Sequence, residues 1–146
     1  MKKHYQVLTV VLLILFAGCS MMGKSAKKSI VGTWVGEGFQ GSEVTYIFNE
    51  DMTVTMSFTM DGNEFTMKGK YVVDFSQNPV TIDLLDIEFP QGDMTISCLG
   101  IVEFPGEGKM NIYGLFGQSG EVTRPTEFNR NPSERFQMYI ELTKKE

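Results

Sequence analysis

Met52-Thr53-Val54-Thr55-Met56-Ser57-Phe58-Thr59-Met60 places an apolar side chain at every even position and a hydroxyl at every odd one. Successive side chains of a β-strand point to opposite faces of the sheet, so this stretch predicts a strand with one apolar face. Asp61-Gly62-Asn63 follows, residue types that accept the positive φ values of a tight hairpin turn. The return strand carries Phe65, Met67, Gly69, Tyr71, Val73 and Phe75 on one face, and Glu64, Thr66, Lys68 and Lys70 on the other. A two-residue turn at Asp61-Gly62 or at Gly62-Asn63 sets Phe65 on the same face as Met60. Pattern and turn agree.

Strands at similar spacing extend outward from this hairpin. Before it come Ile30 to Phe39, then Val44, Tyr46 and Phe48 in alternation, closed by a turn at Asn49-Glu50-Asp51. After it come Val80 to Phe89, Met94 to Phe104, Lys109 to Phe116 and Arg135 to Thr143. The breaks between them are turn sequences: Ser76-Gln77-Asn78-Pro79, Pro90-Gln91-Gly92-Asp93, Pro105-Gly106-Glu107-Gly108 and Gly117-Gln118-Ser119-Gly120. About eight strands with hairpin links and no amphipathic helix predict an all-β fold, an antiparallel barrel or sandwich. Strands apolar on one face suit a barrel whose interior is filled or partly open.

The chain of 146 residues is long enough for one domain with its own core, and its net charge of −5 argues against a nucleic-acid binder. The charge is unevenly spread. Lys2 and Lys3 precede a short apolar run from Val7 to Ala17, interrupted only by Thr9. The stretch from Tyr5 to Gly18 is 14 residues, shorter than the roughly 20 a membrane-spanning helix needs. A basic start, a short apolar run and small residues before a cleavage point describe an export signal over 1–18.

Leu15-Phe16-Ala17-Gly18-Cys19-Ser20 resembles the lipobox of bacterial lipoproteins, in which small residues precede the Cys that becomes the new N-terminus. The resemblance implies a lipid, palmitate among its acyl groups, attached at Cys19, and anchoring in the cell envelope. Ser20, where an Asp would favour inner-membrane retention, points to the outer membrane if the host is diderm. Residues 19–29 then form a lipidated, basic tether with Lys24, Lys27 and Lys28. Residues 30–146 form the barrel domain and hold 8 of the 13 basic and all 18 acidic side chains, a net of −10.

Gly32-Thr33-Trp34 at the start of the first strand resembles the Gly-x-Trp opening of lipocalins, where the Trp packs at the closed end of an eight-stranded barrel. Tyr71-Val72-Val73-Asp74, Pro79-Val80-Thr81-Ile82-Asp83, Gly100-Ile101 and Arg124-Pro125-Thr126-Glu127-Phe128 follow in the order of a lipocalin-like family of secreted bacterial proteins. The similarity covers about residues 30–145. It implies a lipocalin-like barrel with Trp34 as its end-of-barrel core residue. It implies no activity, because a fold alone does not carry one.

The only histidine, His4, lies in the export signal. Loss of the signal removes Ser-His-Asp and Cys-His catalysis and imidazole ligation of zinc from the mature chain. Asp83, Asp86, Glu88 and Asp93 are near one another in sequence, but their spacing predicts no facing carboxylate pair. Asn49-Glu50-Asp51 and Asp61-Gly62-Asn63-Glu64 lack the Ca²⁺-loop pattern and read as turns. No catalytic residue, cofactor or metal is expected, and the protein is not expected to be an enzyme. Ten methionines raise core filling, a soft-metal site, or an adaptable apolar cavity as alternatives. Cys98 reads as a small buried hydrophobe, and Arg124 as a partner for an acid or a cap on the barrel end.

Two functions follow as expectations. In the first, a membrane-anchored lipoprotein binds a small hydrophobic ligand in its barrel, lined by Met52, Val54, Met56, Phe58, Met60, Phe65, Met67 and Tyr71. In the second, an envelope interaction module, an inhibitor or assembly partner, works through its acidic surface or through the long segment from Gly117 to Pro132, since function concentrates in loops.

Overall fold

The computed structural model describes residues 30–146 apart from Phe39, Gln40, Gln91, Asp93 and Ser119. The expected export signal, Cys19 and the expected basic tether, together with Asp93 of the acidic group, lie outside the described residues.

Eight strands follow one another along the chain: β1 (Gly32–Glu37), β2 (Glu43–Phe48), β3 (Thr53–Met60), β4 (Asn63–Asp74), β5 (Val80–Glu88), β6 (Thr95–Gly106), β7 (Lys109–Gly117) and β8 (Gln137–Lys144). Each pairs antiparallel with the next, and β8 returns to β1 through Trp34↔Lys144, Val35↔Thr143 and Gly36↔Leu142. The result is a closed up-and-down barrel of the lipocalin-like kind the sequence predicts. Every ladder lies within residues 32–144, and Ile30, just before β1, is buried with the core.

The β3–β4 hairpin shows why the register holds. Asp61 and Gly62 take φ values of 52° and 77°, the left-handed pair of a two-residue turn, and Met60 faces Asn63 across it. Phe58 then lies opposite Phe65 and Met56 opposite Met67, with the two phenyl rings stacked 5.4 Å apart. Slipping the pairing by one residue would turn all four of these side chains outward.

Meander topology gives the barrel two unlike ends. The chain enters β1 at one end, which also carries the β2–β3, β4–β5 and β6–β7 turns. This entry end is filled: Trp34, Phe48, Val54, Met110 and Leu142 are at most 1% exposed. Tyr71 meets Phe48 edge to face at 5.0 Å, and its hydroxyl donates to the Asn49 carbonyl at 2.7 Å, fixing the β2–β3 turn onto β4. Deeper in, a side chain on Gly114 would collide with the Cys98 sulfur. Glycine at 114 is the reason the thiol fits inside the wall.

Alternation of buried and exposed residues fails on β7, where Met110 to Gly114 are buried without a break. The cause is the connection from Gln118 to Phe136, which runs as a strap over the outer face. Arg124 reaches Asp83 on β5, and Arg130 reaches Glu103 on β6 at 2.7 Å. Beneath the strap Ile101 and Tyr113 are buried although they point away from the barrel axis. Both faces of β6 and β7 are covered there, as in a sheet packed between layers.

Candidate functional site

At the end opposite chain entry the interior is not filled. A cavity of about 760 Å³ opens there, within the range of small-molecule sites. Its inner wall is Met67 from β4, Ile96 from β6 and Phe116 from β7, each on the face that points into the barrel. Phe89, Met94 and Phe136 form the mouth and are 40%, 56% and 64% exposed. Val122, Gln118 and Glu121 of the strap join the lining, adding one amide and one ionisable side chain to its apolar residues.

Local structure accounts for each part. Phe89 and Met94 flank the β5–β6 turn, and Phe136 is the last residue before β8, so antiparallel order alone brings them to one end. Phe136 holds φ at 79°, a conformation costly for an L residue with a bulky side chain, while its carbonyl accepts from the Phe116 amide at 2.8 Å. The strained backbone delivers an exposed aromatic ring to the mouth.

Just inside Ile96 on β6 lies Cys98, directly opposite Phe116 of β7. Burial pushes its thiol up to about 12, and the Asp83 charge adds to the effect. Tyr46 is likewise raised, by burial first and then by Cys98, and its hydroxyl lies 3.3 Å from the Met138 sulfur. Both groups stay neutral at ordinary pH. They are weakly polar features of an apolar interior, with no activated nucleophile.

The residues expected to line a ligand cavity fall into three groups. Met67 lies in the cavity wall. Val54, Met56 and Tyr71 are buried in the packed interior, and Phe58 and Phe65 are half-buried toward the hairpin tip. Met60 and Met52 are exposed, the latter at φ 68° in the turn before β3. Trp34 is 1% exposed in the entry-end core, with the Lys144 ammonium over its ring at 5.6 Å. Sequence reasoning followed the face of one hairpin, whereas the cavity belongs to one end of many strands. The signal that could have found Phe89, Met94, Phe116 and Phe136 is their place at the termini of strands that a meander gathers at one end.

The acidic residues take structural parts. Asp83 pairs with Arg124 and Asp86 with Lys70 at 3.1 Å. Asp51 accepts from the Thr53 hydroxyl at 2.6 Å and amide at 3.0 Å, which holds its carboxyl below the usual range and shapes the β2–β3 turn. Among the described residues no group of three or more His, Cys, Asp or Glu side chains is arranged to hold a metal. None of the described helices is long and apolar enough to cross a membrane.

Compared with known protein families, curated proteins and solved structures, the chain matches none. The class of molecule is therefore defined by its fold and site: a closed eight-stranded antiparallel barrel with one packed end and one apolar, open end.

Proposed function

We propose that this protein is a lipid-anchored binding protein of the bacterial cell envelope, whose barrel takes up a small hydrophobic ligand at its open end. The observation that carries the reading is the apolar cavity of about 760 Å³ walled by Met67, Ile96 and Phe116. Its size suits a drug-sized or single-chain ligand, and flexible thioethers beside rigid rings adapt to varied apolar shapes. Anchoring rests on the lipobox-like Leu15-Phe16-Ala17-Gly18-Cys19 ending, and the outer membrane is its destination in a diderm host. A single acyl chain holds a protein to a bilayer only marginally, so the multiple acylation that a lipobox implies is what gives firm attachment.

A neutral fluorescent probe such as N-phenyl-1-naphthylamine tests the binding reading. Fluorescence should rise on mixing with residues 20–146 and saturate at one probe per chain. Met94→Asp, at a position 56% exposed and so tolerant of charge, should weaken the probe about tenfold. An unsaturable response, or one unaffected by Met94→Asp, would contradict it. Mass spectrometry of the native N-terminus tests the anchor, which an unmodified Cys19 refutes.

A further inference from the structure

We propose that the open end selects amphiphiles with a positively charged head group and disfavours fatty-acid-like anions. The inference rests on the apolar-cavity reading above and adds the chemistry of the head group. Among the described residues Glu121 is the only ionisable side chain in the cavity lining, and no basic residue lines it. Around it, the strand ends and turns of the same barrel end present Glu37, Glu43, Asp61, Glu64, Glu88 and Glu134, all exposed. Two basic residues, Lys68 and Arg135, stand at this end among those described, against seven acids. Lys68 is registered opposite Glu88, with its neighbour Met67 taking the inward face. The Arg135 guanidinium lies over the Phe136 ring, 5.5 Å from its centroid.

A ligand whose chain fills the space between Met67, Ile96 and Phe116 must leave its head near the mouth, beside Glu121 and Gln118. There a carboxylate would meet like charge with no cationic partner in the lining. An ammonium would meet an opposite charge, with the exposed ring of Phe89 at the mouth offering cation–π contact. An end on which acids outnumber bases also carries a negative field that raises the local concentration of cationic solutes.

Calorimetry on residues 20–146 with three ligands of equal chain length separates the terms: decyltrimethylammonium, decanol and decanoate, each below its micelle concentration. A unit charge about 4 Å from its counter-charge in water contributes about 1 kcal/mol, so the cation should bind at least about fivefold tighter than decanol. Decanoate should bind more weakly than either. The cation-to-decanol ratio should shrink in about 0.3 M salt, where the Debye length falls below 8 Å, and in Glu121→Gln. Equal affinity for all three ligands would overturn the head-group inference while leaving the cavity reading standing. Tighter decanoate would overturn it in favour of Arg135 as the head-group contact. Binding of none of the three would overturn the apolar cavity itself.

Discussion

Phe136 joins two properties that seldom coincide. Its backbone sits at φ 79° and its ring is 64% exposed, so it costs conformational energy and buries little apolar surface. The strain is intelligible if the ring serves the cavity mouth. Phe136→Gly relieves the strained φ and gives back a similar amount through the freedom that glycine gains in the unfolded chain. Stability in urea should therefore stay within about 0.5 kcal/mol of the parent, while affinity for an apolar probe falls severalfold. A loss of about 2 kcal/mol or more would mean that the ring is part of the core.

The strap between β7 and β8 is an element with few hydrogen bonds to backbone, held by side chains. Arg130 donates to Glu103 at 2.7 Å and to the Tyr139 hydroxyl at 2.6 Å, while lying 5.7 Å from the Phe128 ring centroid and 5.6 Å from that of Tyr139. The Asn111 amide donates to the same Glu103 oxygen at 2.9 Å and is the main reason its carboxyl is held below the usual range, with Arg130 acting in the same direction against desolvation. A carboxylate whose native pKa is depressed stabilises the fold above its ordinary value of about 4.3, and that contribution disappears as pH falls through the lower native value. Glu103→Gln should thus cost about 1 kcal/mol or less at neutral pH, a partly exposed pair being screened by water. The difference from the parent should close on acidification through and below pH 4. A gap independent of pH would assign Glu103 a packing role only. The sequence offers Arg124-Pro125-Thr126-Glu127-Phe128 as a recognisable segment, yet its partners lie on strands far away in the chain. What period-two reading could have noticed is Ile101 and Tyr113, large side chains at outward positions, which call for a cover.

At the scale of the whole molecule, strand number and order follow from alternation and turn residues, because each strand pairs with its sequence neighbour. Asp61-Gly62 sets the register of the central hairpin, and the other strands extend from it by short turns. The cavity was less legible. A strand's apolar face says which side chains point inward, but it does not say at which height the interior stops being filled. That height is decided by bulk: Trp34, Phe48, Tyr71 and Met110 close the entry end, whereas the far end is left to Met67, Ile96 and Phe116. Val54, Met56 and Met67 share an inward face, and only the last of them borders the cavity. The two ends also divide the labour. The packed end is where the chain enters β1, and the apolar-lined cavity opens at the other.

Methionine methyl resonances report on these two ends separately and give the most direct test of the central claim, that the open end is a hydrophobic ligand site. Decanol titrated into residues 20–146 should shift the methyl signals of Met67 and Met94 in a saturable way. Met110, 0% exposed and packed in the entry end, should hold its position. Unmoved Met67 and Met94 signals at saturating decanol, or uniform shifts of all the methionines, would contradict the account.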